Sequence, residues 1–262
     1  MTATPITQPP GWPICMSFQL LAACTWRDLW DAHALHFSLG EESLTDYNLL
    51  DLRRWNPNEI WVNKFATQAE HPIGADWEWW FGGAQGWFGM RVQAKRLTIG
   101  NLTYAVANLG QADDLIDAAN YSGLYPAFCF YNSLPSAEVP AWHCSCIPRN
   151  NPLLGCTIAD AYGVRRVLRR NDHRFRSMQN YASPWHCLVC CCHPDAGVTL
   201  AESAKHTARR LRGPKLRGRQ PKPIPPLRRE APAYVMSVIG GQVLEIVGLR
   251  IAGILVFQTP ER

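Results

Sequence analysis

Residues 74–80 read GADWEWW and residues 87–97 read WFGMRVQAKRL, joined through Phe81 and the turn-forming run Gly82-Gly83-Ala84-Gln85-Gly86. Both flanking stretches are rich in aromatic and β-branched residues, and the glycines between them favour a tight reversal. Two antiparallel strands are therefore predicted, Ile73 to Phe81 and Trp87 to Leu97. Side chains two apart along a strand share a face. Asp76 then points with Glu78, and Gln93 points with Lys95. A hairpin would bring all four polar groups to one sheet face. A carboxylate, an amide oxygen and an ammonium gathered in this way suit a hard divalent cation, which takes oxygen ligands and keeps several waters.

Outward from the hairpin, the apolar spacing sets an order of elements. Glu42 to Arg54 has leucines at 44, 49, 50 and 52 among polar residues and reads as an amphipathic helix, ended by Asn56-Pro57-Asn58. Glu59 to Phe65 reads as a strand. Leu109 to Asn120 reads as a second helix with Leu115 and Ile116 inward, and Leu124 to Tyr131 as a fourth strand. The order is helix, three strands, helix, strand. Further on, Ile158 to Arg170 reads as a helix, while Trp185 to Cys192, Tyr234 to Ile239 and Arg250 to Phe257 read as strands that extend the sheet or pack beside it. The predicted class is α/β: an α-β-β-β-α-β core with a mixed sheet flanked by helices and C-terminal additions. Its organisation is an N-terminal extension over 1–40, the core over 41–200, a basic loop over 201–232 and C-terminal strands over 233–262.

Asp76 followed by a turn and Gln93-Ala94-Lys95 resembles the PD-(D/E)XK, or restriction-endonuclease-like, nuclease superfamily, and the element order is similar to that superfamily's core. More narrowly, GADWEWW, then VQAKR, Tyr104, Gln111 and Phe130-Tyr131-Asn132 resemble a bacterial family of unknown function assigned to it. The resemblance is clearest from Glu41 to Asn132 and thins towards the C-terminus. It implies a metal-binding role for Asp76, a catalytic lysine at Lys95, and a metal-site position for Gln93 in a QxK variant of the motif. It also implies a further carboxylate from the first helix, Glu41 or Glu42, and an assisting position for Gln111. Glutamine departs from the usual acid, and an amide is the weaker ligand. The implied activity is Mg²⁺- or Mn²⁺-dependent hydrolysis of nucleic-acid phosphodiesters, DNA foremost. The implied setting is prokaryotic anti-phage defence, beside a sensor such as an inactive Argonaute. The competing reading is a weakened nuclease-fold module that binds nucleic acid or a protein without cutting.

Each of these residues has a plainer role as competitor. Glu78 can pair with Arg91 or Arg96 across the hairpin. Glu41 and Glu42 can simply favour a helix N-terminus, and Gln111 can be an ordinary polar helix residue. Trp77, Trp79 and Trp80 are expected to pack in the core.

Charge is unevenly distributed over the 262 residues. Lys205 to Arg229 holds 10 of the 26 Lys and Arg and no acid; the other 16 stand against 21 acidic residues, a net of −5. Its prolines and glycines predict a loop or disordered insertion able to neutralise phosphates or dock an acidic partner. The expected nucleic-acid contacts are Arg209, Arg210, Arg212, Lys215, Arg217 and Arg219, joined by Arg165, Arg166, Arg169 and Arg170, which are spaced to share one helix surface.

The N-terminus lacks the basic region of a secretory signal, and no apolar run is long enough to span a bilayer, so a cytoplasmic protein is expected. The oligomeric state stays open, with a dimer compatible. Ten cysteines are present, yet a chain with this much apolar material needs no disulfide framework. Cys144, Cys146, Cys187 and Cys190 could offer four thiolates to zinc, but the first pair is spaced by a single residue. The string WHCLVCCC reads equally as a buried strand of small hydrophobes, and zinc is not expected. None of the histidines at 71, 143, 173, 186 and 193 has a spacing that demands a metal.

Overall fold

A computed structural model describes residues 13–65, 77–83, 85–104, 107–136, 138, 140–144, 147–190, 198–212, 222–242 and 251–258. Seven strands form one mixed sheet: β1 (Ile60–Lys64), β2 (Trp77–Gly83), β3 (Gly86–Arg96), β4 (Tyr125–Tyr131), β5 (Cys156–Asp160), β6 (Ala182–Pro184) and β7 (Gly253–Gln258). Their spatial order is β1-β7-β2-β3-β4-β5-β6. Strands β2 and β3 form the expected antiparallel hairpin, with Trp77 opposite Val92 and Gly83 opposite Gly86. Gly86 sits at φ +128, and a Cβ there would meet the Arg228 carbonyl at 2.6 Å, so glycine is required on two grounds. β3 and β4 run parallel, as do β2 and β7.

Burial explains the composition of β3. It is the middle strand, and ten of its eleven residues are buried. Such a strand should be almost wholly apolar. Its alternate residues enter two separate cores. Phe88, Met90, Val92 and Ala94 join Trp77, Trp79 and Phe81 on one face, while Trp87 joins Trp80, Phe128 and Phe130 on the other. The first face is covered by α1 (Ile14–Ala34), α2 (Glu41–Trp55) and α6 (Leu200–Arg212). The second is covered by α3 (Leu109–Ser122), α4 (Ala161–Leu168), α5 (Phe175–Met178) and α7 (Ala233–Ile239). The tryptophans at 77, 79 and 80 are buried packing residues, as expected.

Several expectations are corrected. The strand at the C-terminal end, expected to extend the sheet or pack beside it, instead inserts as β7 between β1 and β2 and pairs with both. Its Ile254, Leu255, Val256 and Phe257 are fully buried, the composition an interior strand needs. The N-terminal stretch is not peripheral: α1 buries Phe18, Leu21, Ala22 and Leu29, and Gly155 lies so close to it that a Cβ would collide with the Ala22 carbonyl. Ile158 to Asp160 belongs to β5, and the helix begins only at Ala161, with the Asp160 side chain accepting from the Gly163 N–H as its N-cap. Tyr234 to Ile239 lies in α7, not a strand, because Val235 and Val238 are the buried pair three residues apart. Trp185 to Leu188 is a 3-10 turn following Pro184. Residues 205–212 of the basic segment are helical, forming most of α6.

A disulfide joins Cys15 in α1 to Cys190, with Cα atoms 5.0 Å apart. It is a single bridge rather than a framework, and it occupies one of the thiols considered for zinc. Among the described residues no helix is long and apolar enough to cross a membrane.

Candidate active site

Gln93 and Lys95 lie on the face of β3 that looks towards α3, where α3 packs on both β3 and β4. Both are buried, at 3% and 5% exposure. On one side β4 flanks them, with Gln93 beside Phe128 and Lys95 beside Phe130. On the other side the described part of β2 stops at Trp77, opposite Val92. Asp76 lies outside the described residues.

The Lys95 ammonium has a single charged neighbour among the described residues, the Glu41 carboxylate, with Nζ to Oε2 at 3.5 Å. Glu41 opens α2, whose N-cap is Gly40 and supplies no side-chain cap. An acid in the first turn is favoured by the helix dipole. Its other oxygen accepts the Arg96 backbone N–H at 3.2 Å. The apolar residues of α2 belong to the opposite core, so Glu41 reaches Lys95 from the other layer. One turn on, Thr45 shares a 2.9 Å hydrogen bond with the Tyr131 hydroxyl and fixes α2 to the end of β4. Glu42 is exposed beside it, on the outer side of the helix.

Gln93 has a more telling feature. Its Oε1 is buried and has no hydrogen-bond partner among the described residues. A buried carbonyl oxygen without a protein partner costs on the order of 1–3 kcal/mol, and a role in holding an ion or water is a common reason for one. Gln111, on the first turn of α3, repeats the feature: its Oε1 is also without a partner among the described residues, although its backbone N–H is capped by Asn108 Oδ1 at 2.8 Å. Oxygen donors of this kind, amide and carboxylate, are the ligand type a hard divalent cation takes.

The remaining residues of the motif serve structure. Tyr104 stacks on Phe130 at 4.2 Å and donates its hydroxyl to Asn132 Oδ1, so three positions of the motif meet in one buried cluster. Glu78 does not join Gln93 and Lys95. It is fully buried 3.3 Å from Arg91 Nη2 and accepts from Trp80 Nε1 at 3.2 Å and from the Tyr234 hydroxyl at 2.8 Å. The cross-hairpin pairing with Arg91 is thus borne out. Burial first, and then the Glu78 charge, push the Tyr234 phenol well above its ordinary value.

The basic residues divide. Arg169 and Arg170 are exposed just beyond α4, and Arg209 is exposed on α6. Arg165 is tied to Asp113 at 3.1 Å and Arg166 lies over the Tyr181 ring. Arg210 donates to the His143 carbonyl at 2.8 Å. Arg212 points inward, 2.9 Å from buried Asp160 and stacked over Tyr162, so its place in a nucleic-acid surface is corrected to one in the core. Lys215, Arg217 and Arg219 lie outside the described residues.

A second chemical cluster joins two of the thiols considered for zinc to a histidine that was not. Cys144, His186 and Cys187 are all buried and hold their ligand atoms within 4.8 Å of one another, with Cys144 Sγ 3.5 Å from His186 Nε2. A hydrogen bond with Cys144, then burial, hold the Cys187 thiol far above its usual value. Cys146 lies outside the described residues, and Cys190 is in the bridge to Cys15. The histidine was missed because no fixed spacing marks it; its place directly before Cys187 was the available signal.

The fold and site define a mixed α/β protein whose central strand carries a buried glutamine and lysine beneath a helix-borne glutamate. The chain belongs to a family of unknown function, DUF6615, which it matches over residues 14–262. No curated protein and no solved structure matches it.

Proposed function

We propose that this protein is a divalent-metal-dependent nuclease with a restriction-endonuclease-like core, acting on phosphodiester bonds of nucleic acid, DNA foremost. The observation that carries the reading is the pairing of a buried lysine with a buried glutamine oxygen that has no partner among the described residues, both on the central strand. Neither is favourable for folding, and such local penalties concentrate at functional sites. Asp76, which lies outside the described residues, directly precedes Trp77 in the chain, the residue at which β2 begins.

Gln93 Oε1 with the carboxylates of Asp76 and Glu41 would hold the cation, which when bound supplies phosphate charge neutralisation and a more acidic water. Lys95 offers its ammonium to the charge that builds on the phosphate during attack. Glu41 positions that ammonium through the 3.5 Å contact. Burial of the pair excludes bulk water, which strengthens the lysine's electrostatic effect. The setting in anti-phage defence with a sensor partner is proposed from the resemblance alone.

The amide at 93 supports a second reading, a binding module with a weakened metal site. Mg²⁺-dependent plasmid cleavage separates the two. Wild-type protein is expected to cut, and Asp76→Ala and Lys95→Ala are each expected to lose about 100-fold or more in rate with unchanged circular dichroism. Full activity in either folded variant would sink the assignment.

A further inference from the structure

We propose that Cys144, His186 and Cys187 form a zinc site that clasps the long β4–β5 connection onto the segment after β6. The site does not depend on the nuclease reading.

The donor set is the first ground. Two sulfurs and an imidazole nitrogen are the ligands zinc favours, with Zn–S near 2.3 Å and Zn–N near 2.0–2.1 Å. A tetrahedral ion with those bonds sets sulfur and nitrogen roughly 3.6 Å apart. The observed Cys144 Sγ to His186 Nε2 distance is 3.5 Å. Both ligand sulfurs and the ring nitrogen fall within 4.8 Å, the span one ion can bridge with small side-chain adjustment. Two thiolates cancel the ion's two charges, so the complex can stay buried without an unpaired charge.

The second ground is the loop. Between β4 and the 3-10 turn at Asn151–Leu154, the described residues contain no helix or strand. Irregular connections of this length are uncommon in a compact fold, and where ordered they usually carry function. This one is held by a few hydrogen bonds around the cluster. The Ala141 N–H donates to Gln179 Oε1 at 2.8 Å, and the His143 carbonyl accepts from Arg210 and from Ser183 Oγ. On the other side, Thr207 of α6 donates to the Cys187 carbonyl at 2.6 Å. Cys144, buried, follows His143 directly in the loop, and its thiol lies 3.5 Å from His186 Nε2. An ion there would join loop, post-β6 turn and α6 at one point.

The test is metal content of the full-length protein, purified without chelator. About one zinc per chain is expected. Replacement by cobalt(II) is expected to give the intense near-ultraviolet thiolate-to-metal absorption and visible bands of a tetrahedral site. The double variant Cys144→Ser/Cys187→Ser is expected to lose both, while Cys24→Ser, away from the cluster, keeps them. Should the double variant fail to fold, His186→Cys decides the location: it retains a zinc donor and adds a thiolate, so the charge-transfer band should grow. Wild-type protein without stoichiometric zinc and without a cobalt spectrum overturns the proposal, as does a folded double variant that keeps its zinc. An unchanged cobalt spectrum in His186→Cys moves the metal elsewhere and overturns it equally.

Discussion

Lys95 stands where a lysine is expensive. Its ammonium is buried against a 3.5 Å contact with one carboxylate, and removing a charge from water costs several kcal/mol unless geometry and hydrogen bonds compensate. A methionine of similar length would fill the same space without that penalty. Lys95→Met is therefore expected to be neutral or stabilising by about 1–3 kcal/mol in thermal or denaturant unfolding, while cleavage is abolished. Cleavage that survives in the folded variant would show that the charge is not used, and a loss of about 3–5 kcal/mol would show that the pair with Glu41 holds the fold. Gln93→Glu is expected to tighten Mn²⁺ binding in calorimetry, since it replaces an amide with a carboxylate beside the proposed cation. The buried pair of Arg212 and Asp160 obeys the opposite logic. Asp160 accepts from Arg212, Tyr125 and the Gly163 N–H, although burial pushes its carboxyl up overall. Asp160→Asn keeps the helix cap and the volume but leaves the guanidinium unpaired, a destabilisation of about 3–5 kcal/mol. Adding Arg212→Met should recover most of it. Equal instability of the single and double variants would show that the charge is not the cause.

At the scale of elements, the sequence discloses what repeats and hides what depends on distant partners. The helix over 41–55 and the hairpin over 77–96 were legible because their apolar residues recur at the right period and their turns carry glycine and Asn-Pro. The helix at 200–212 was not, because its buried side is made largely of Ala201, Ala204 and Ala208, weak hydrophobes outweighed by basic neighbours. In α7 the valines suggested a strand, and only the neighbouring core shows that Val235 and Val238 are the inward pair. The place of β7 between β1 and β2 is a pairing across nearly two hundred residues, which no local pattern encodes. The site divides similarly. Gln93 and Lys95 were legible from alternation along one strand. The Glu41 contact with Lys95 needed two layers to be assembled, and the meeting of Cys144 with His186 needed the loop to be folded. The hairpin turn offers a test at this scale. Gly86→Ala places a methyl group against the Arg228 carbonyl and forces a positive φ, so a destabilisation of about 1–3 kcal/mol is expected in equilibrium unfolding. A value below about 0.5 kcal/mol, the range of a neutral surface change, would show that the turn relaxes freely.

For the whole molecule, charge is the organising quantity. Outside Lys205 to Arg229 the chain carries a net of −5, which repels a polyanion unless local cationic surface offsets it. The structure narrows where that surface can be. Arg212 neutralises Asp160 inside the fold, and Arg228 lies over the Trp80 ring and donates to the Ser122 carbonyl. These two hold the fold together, and replacing them should lower stability. Arg169, Arg170 and Arg209 face solvent, and Lys215, Arg217 and Arg219 follow α6 in sequence. Lys222 and Arg229 are exposed as well; if the protein is a nuclease, these are residues placed to bind the phosphate backbone. Replacing Arg169, Arg170, Lys215, Arg217 and Arg219 with glutamine is expected to weaken binding to every sequence alike, because phosphate contacts carry no base information. The slope of log K against log salt should flatten by about 0.9 for each phosphate no longer neutralised, up to roughly 4.5 for five. The cleavage rate of bound DNA should hardly change, since Gln93 and Lys95 are untouched. Binding that keeps its full salt slope in the folded variant would assign the basic segment to an acidic protein partner instead.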